Sequence, residues 1–172
     1  MIHILETVTH AQAQLYRQCD FIIERFTAEP ESSEYYAHTF TLKNQNGLFR
    51  IAKKTPTKTG WFVTLWKRGA DNIIAPYDES DSVNFVVISI VSDHNVGQFI
   101  FPKKVLREKN IFSTHNLGGK RGIRVYSPWD TVTSLQAAKT QGWQQSYFVD
   151  FSLHPAASAL KIKQLYTQEE RK

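Results

Sequence analysis

Between His10 and Phe26 the apolar residues Leu15, Cys19, Ile22, Ile23 and Phe26 recur at helical spacing, with Gln, Arg, Asp and Glu between them. This pattern predicts an amphipathic helix docked on a core. Residues 28–34, AEPESSE, read as a loop, and YAHTFTLK after them alternates as a strand does, with a turn expected from Asn44 to Gly47. The next strand, LFRIAKK, runs to the Thr55-Pro56 break, and WFVTLWKR follows TKTG, so three consecutive strands are expected to form an antiparallel meander. Alternation along LFRIAKK sends Phe49, Ile51 and Lys53 to one face and Arg50, Ala52 and Lys54 to the other.

Residues 84–92, NFVVISIVS, are apolar without alternation, the signature of a strand covered on both faces and hence the centre of the sheet. GQFIF (97–101), IRVYS (123–127) and YFVDF read as further strands. PKKVLREK has proline in the first-turn position of a short helix. Ser127-Pro128-Trp129-Asp130 reads as a capped helix start leading into TVTSLQAAKTQ. In PAASALKIKQLYTQ the residues Ala159, Ile162, Leu165 and Tyr166 recur three or four apart, which predicts a C-terminal helix, and the tail EERK is expected to fray. The fold class expected is α+β, with a mixed, largely antiparallel central sheet and flanking helices.

A chain of 172 residues is expected to form one domain, spanning residues 1–172, and at that size folding hides about two-thirds of the unfolded surface. The lone Cys19 excludes an internal disulfide and fits a reducing compartment, and no Cys or His cluster has the spacing of a zinc site. MIHILETVTHAQ has neither a basic flank nor a long apolar run, and no window approaches the length of a membrane-spanning helix. The expectation is a cytoplasmic protein with no membrane segment, no cofactor and no metal.

Charge changes the picture more than composition does. The net charge is +5, and Tyr35 to Ala70 contains seven basic residues (Lys43, Arg50, Lys53, Lys54, Lys58, Lys67 and Arg68) with no Asp or Glu. From His94 to Pro128, Lys103, Lys104, Arg107, Lys109, Lys120, Arg121 and Arg124 face the single acid Glu108. Such segregation predicts a surface with a positive field that suits an anion.

Aromatic residues sharpen the choice of anion. They make up 13% of the chain, and residues 50–68 interleave six basic residues with Trp61, Phe62 and Trp66. Cations neutralise phosphates and release counterions, and flat rings offer stacking faces to bases, so nucleic acid is the partner this combination fits. The glycines of NLGGKRGIR (116–124), with Lys120, Arg121 and Arg124, have the composition of an anion nest but not the spacing of a phosphate-binding P-loop. Trp129, Trp143 and Gln144 bring rings and an amide close to one helix. Trp129 is read as core, whereas Trp143 and Gln144 fit either a core or a planar ligand. Asp78, Glu79 and Asp81 form the only dense acidic group before the central strand, without an acid-x-lysine pair to follow, and the six histidines are scattered. A second function class, an enzyme acting on an anionic small molecule or a metal-dependent nuclease, would rest on Asp78 or Asp81 as acid, base or metal ligand and on Lys53 as charge stabiliser. An acidic protein partner would use the same basic face.

The motifs FRIAKKTPTKTGWFVTLWKR, IIAPYDESD, GQFIFPKKVL, GGKRGIRVYSPWD and KTQGWQQSYF, spread over residues 34–150, resemble the MepB family of bacterial proteins. The resemblance implies a restriction-endonuclease-like architecture and nucleic-acid binding, DNA before RNA, without an established catalytic activity. It implies Lys53, Lys54, Lys67, Arg68, Lys103, Lys104, Lys120, Arg121 and Arg124 as phosphate contacts. To these the basic, aromatic stretch itself adds Arg50, Lys58, Trp61 and Trp66. Thr57 stands where the family's Thr-Pro-Lys-Lys run has a lysine.

Overall fold

The computed structural model describes residues 2–168. In chain order the elements are α1 (Ile2–Arg17), β1 (Ile23–Ala28), a 3-10 turn (Ser33–Tyr35), β2 (His38–Leu42), β3 (Gln45–Ile51), β4 (Lys53–Thr55), β5 (Lys58–Thr64), β6 (Lys67–Arg68), β7 (Ile74–Ala75), β8 (Phe85–Val91) and β9 (Val96–Pro102). There follow α2 (Lys103–Glu108), β10 (Gly122–Val125), α3 (Leu135–Gln144), a second 3-10 turn (Gln145–Tyr147), β11 (Phe148–Asp150) and α4 (Pro155–Thr167). The tail EERK lies outside the described residues.

The architecture is α+β, as expected. Six strands form a mixed sheet in the order β1-β2-β3-β8-β9-β11, parallel at β3–β8 and antiparallel at its other pairings. β8 lies inside the sheet and turns Val86, Ile88 and Ile90 to one apolar layer and Phe85 and Val87 to the other. Its run without alternation, apolar but for the buried Ser89, follows from having no wet face. On one side α1 and α4 close the core, where Leu15, Tyr16, Ile162, Leu165 and Tyr166 meet Phe49, Phe85 and Val87. On the other side a three-stranded antiparallel sheet, ordered β10-β5-β4, buries Trp61, Val63, Ile123 and Val125 against Val86, Ile88 and Phe99. None of the described helices is long and apolar enough to cross a membrane.

The expected meander divides between these two sheets. β2 and β3 do pair, but their turn is Lys43-Asn44, with φ of 47° and 62°, and strand β3 starts before Gly47. Both turn residues take the left-handed backbone that a two-residue hairpin requires. Gly47 instead lies under the Phe40 ring, whose Cζ would stand 2.2 Å from a Cβ there. LFRIAKK pairs with β8 as far as Ile51, and the Ala52 amide donates to the Ser89 carbonyl at 2.9 Å. Beyond Ala52, Lys53 and Lys54 pair with Phe62 and Trp61 in the second sheet.

Two helix assignments are corrected. The first helix spans Ile2–Arg17, not His10 to Phe26: Asp20 has φ of +58°, Ile22 is exposed, and Ile23 begins an edge strand. The helix start placed at Ser127 is a tight turn in which Asp130 Oδ2 accepts from the Ser127 amide and hydroxyl at 2.7 and 2.8 Å. α3 starts later, where Ser134 Oγ accepts from the Ala137 amide at 3.1 Å. Pro102 precedes α2 as its cap, one residue before the first turn. The C-terminal helix buries Ala159, Ile162, Leu165 and Tyr166 as its spacing predicts.

Candidate functional site

Antiparallel pairing in the small sheet sets Lys53, Phe62 and Arg124 in one cross-strand row on the face away from the core, while Lys54, Trp61 and Val125 form the next row. Pro56 and Thr57 make the β4–β5 turn and carry Lys58 to its exit. Gly60, at φ +83°, admits the Tyr126 ring, whose Cδ1 would stand 2.6 Å from a Cβ. α3 closes against β10 through the buried Gln144: its Nε2 donates to the Arg124 carbonyl at 3.1 Å and its Oε1 accepts from the Tyr126 amide at 2.8 Å.

Between this sheet and α3 opens a cleft of about 620 Å³. Lys58, Lys109, Lys120 and Arg124 line it, together with Tyr126, Trp143, Thr57, Thr59, Thr133 and Ser134, and among the described residues no Asp or Glu does. Lys109 Nζ lies 5.5 Å from the Trp143 ring centre, and the Arg124 guanidinium 5.9 Å from that of Phe62, cation–π distances that keep the charges near flat apolar faces. A second hollow of about 570 Å³ shares Lys109, Gln136, Thr140 and Trp143 with the cleft and adds Lys139, so the depression continues past the tryptophan.

The structure brings only part of the expected set together here: Lys58, Lys120 and Arg124 line the cleft, and Lys53 shares a row with Arg124 while its ammonium stands over the Tyr35 ring at 5.2 Å. Arg50 is corrected: it is 1% exposed, paired with Glu29, and donates to the Phe49 carbonyl at 2.8 Å, so it belongs to the core. Trp61 is likewise core, 5% exposed with its Nε1 donating to Asp130 at 3.2 Å, and Lys54 lies against its ring. Lys67 is bound to Asp81, Arg68 pairs with Glu31 and covers Trp66, and Lys103 donates to the Glu79 and Asp81 carbonyls. Lys104 and Arg121 are exposed outside the cleft lining. Lys109 and Tyr126 were not among the residues expected, although Lys109 lies within the second basic tract.

The acidic group is spent on architecture. Asp78 accepts from Ser113 Oγ at 2.7 Å, the Asn116 amide at 2.8 Å, and the Ser80 amide and hydroxyl at 3.0 and 2.7 Å. These donors, the Ser113 hydroxyl foremost, hold its carboxyl well below the usual carboxylate range. Asp81 takes Lys67 and the Asp78 amide, and Glu79 faces Arg107 and His115. Among the described residues no group of three or more His, Cys, Asp or Glu could hold a metal ion. The glycine loop is not an anion nest: the amides of Asn116, Leu117, Gly119 and Lys120 donate to Asp78, Thr114, Asn110 and Ile111.

Together these elements define an α+β domain in which a small sheet and α3 enclose a cation-lined cleft. The chain belongs to the MepB-like family, which matches residues 29–150. The crystal structure of MepB is similar to it with a TM-score of 0.74 at 35% identity, covering 77% of this chain and 89% of that one. A bacterial homing endonuclease is similar at a TM-score of 0.46 and 12% identity, over 80% of this chain and 86% of that one. No curated protein matches the chain.

Proposed function

We propose that the protein binds nucleic acid, DNA in the first instance, along the cleft between the small sheet and α3. The observation that carries this reading is the lining: among the described residues, four cations, Lys58, Lys109, Lys120 and Arg124, and no carboxylate, beside the partly exposed rings of Tyr126 and Trp143. Cations in a concavity free of acids neutralise a phosphate backbone, and the neighbouring hydroxyls donate to the same oxygens. Lys53, in the same cross-strand row as Arg124, extends the charge along the hairpin.

Salt dependence tests it. Four phosphate contacts give a slope of log affinity on log salt of about −2.8 for a single strand and about −3.6 for a duplex. Between about 50 and about 200 mM salt, affinity for a single strand should fall roughly fifty-fold in a fluorescence-anisotropy titration. A flat salt response, or no binding at low salt, refutes the reading.

A further inference from the structure

Strand β10 is an edge of the small sheet, and part of its outer edge opens into the cleft. The Arg121 carbonyl accepts from the Leu65 amide at 2.9 Å, so Arg121, Ile123 and Val125 turn their backbone groups toward β5. Lys120, Gly122, Arg124 and Tyr126 therefore turn theirs outward, because antiparallel pairs alternate between bonded and non-bonded positions. The outward edge is closed at both ends. The Lys120 amide donates to the Ile111 carbonyl at 2.9 Å, and Gln144 spans the Arg124 carbonyl and the Tyr126 amide. Between these points the Lys120 carbonyl, both groups of Gly122 and the Arg124 amide have no partner among the described residues.

We propose that this window reads an unpaired nucleobase of a single strand lying in the cleft: the Gly122 carbonyl accepts from the base and the Arg124 amide donates to it. The proposal rests on the nucleic-acid reading of the same cleft and deepens it. Gln144 shows what the edge accepts, since its planar amide, with donor and acceptor side by side, already bridges the next carbonyl–amide pair along the strand. The Watson–Crick edge of an unpaired base presents the same neighbouring donor and acceptor. A peptide strand fits less well, because strands usually run to about 5–6 residues and this window is stopped by Ile111 and by Gln144. The surroundings agree with a nucleotide. Lys58, Lys120 and Arg124 line the cleft as cations for phosphates, the Arg124 guanidinium also donating to the Thr59 and Gly60 carbonyls at 3.3 and 3.4 Å, and Trp143, next to Gln144 on α3, offers a partly exposed ring. In a duplex the base edges are already engaged, so the window selects single strands.

The test compares a labelled oligothymidylate with the same strand built from N3-methylthymidine, which has the same charge and a blocked Watson–Crick edge. A duplex and free thymidine monophosphate form the other arms. Oligothymidylate should bind about tenfold tighter than the methylated strand and the duplex, and the monophosphate should not displace it at equal nucleotide concentration. Two variants isolate the backbone group: Arg124→Ala removes the guanidinium, and Arg124→Pro also removes the outward amide, at an edge position where proline costs no ladder bond. Thermal melts check that both fold, and only Arg124→Pro should abolish the preference for the unmethylated strand. Equal binding of both strands with a retained salt dependence overturns the window while leaving the cleft as a phosphate site. Displacement by the monophosphate overturns the strand as the source of the base, and no binding at low salt sinks both readings.

Discussion

Replacing Arg50 with methionine removes the guanidinium that faces Glu29 between the two sheets. Arg50 is 1% exposed in its side chain and Glu29 14%, and the carboxylate keeps the Tyr77 hydroxyl as a donor at 3.4 Å. Taking away one partner of a buried ion pair costs about 3–5 kcal/mol, because the other charge is left without compensation. Two features put Arg50→Met near the low end: Glu29 retains Tyr77 and some solvent, and the Arg50 Nε has no hydrogen-bond partner to lose. A loss of about 3 kcal/mol lowers Tm by roughly 6–12 °C in a chain of this size. Urea unfolding followed by tryptophan fluorescence measures the loss, and a cycle with Glu29→Gln apportions it. The double variant should recover part of the deficit, since no buried charge then stands alone. Nucleic-acid affinity, measured below the variant's melting range, should equal that of the wild type because Arg50 lies in the core. A loss under about 1 kcal/mol together with weakened binding would refute the burial argument and return Arg50 to the binding surface.

Asp78→Asn should cost about 2 kcal/mol at neutral pH, since an amide cannot accept all four of the hydrogen bonds the carboxylate takes, two from Ser80 within its own turn and two from Ser113 and Asn116 across the loop. The folded carboxyl is held below its unfolded value, so the wild-type advantage is full above about pH 4 and disappears as pH falls through the lowered value. A gap between wild type and variant that stays constant down to about pH 2 contradicts this. Burial, with Glu29 nearby, pushes the Tyr77 hydroxyl up to about 12, so ultraviolet titration should show one late phenol missing in Tyr77→Phe. Trp61→Phe should destabilise by about 1–2 kcal/mol, losing ring area and the bond to Asp130, without changing nucleic-acid affinity. Gly142→Ala in α3 should stabilise by about 0.5–1 kcal/mol in thermal melts, because a Cβ there meets nothing within 4 Å.

What could be read from the sequence follows from which physical signals are local. The non-alternating, largely apolar run of β8 and the spacing of Ala159, Ile162 and Leu165 each depend on a single segment, and both were legible. The first helix was misplaced because its buried face includes Gln12, which accepts from Gln98 at 2.6 Å, while Ile22, Ile23 and Phe26 continue the helical spacing into an edge strand. That strand carries a register shift between Glu24 and Thr27, which erases its alternation. The switch between sheets at Ala52 was hidden because β3 pairs with residues 85–89, a partner that no local pattern names. Parity explains Arg50 and Trp61: basic and aromatic residue types pointed to a surface, but their rows face the core. The cleft is assembled from residues 57–59, 109–111, 120–126 and 133–144, so its cations are neighbours only after folding. Lys58, Lys120 and Arg124 were anticipated from charge, whereas Lys67, bound to the Asp81 carboxylate, and Lys103, bound to the Glu79 and Asp81 carbonyls, show that charge alone does not separate a cation of the cleft from one tied into the structure.

The central claim, that the cleft and not the general basicity of the chain binds nucleic acid, is tested most directly by two variants of equal charge. Lys58→Ala/Lys120→Ala removes two cations from the cleft, and Arg17→Ala/Lys163→Ala removes two exposed ones from α1 and α4. Anisotropy titrations of a labelled single strand at several salt concentrations should show the cleft variant weakened by tenfold or more at low salt, with its salt slope reduced by about 1.4. The helix variant should stay within about twofold of the wild type, reflecting only screened long-range attraction. Equal losses in the two variants, or binding by neither variant nor wild type, would contradict the account.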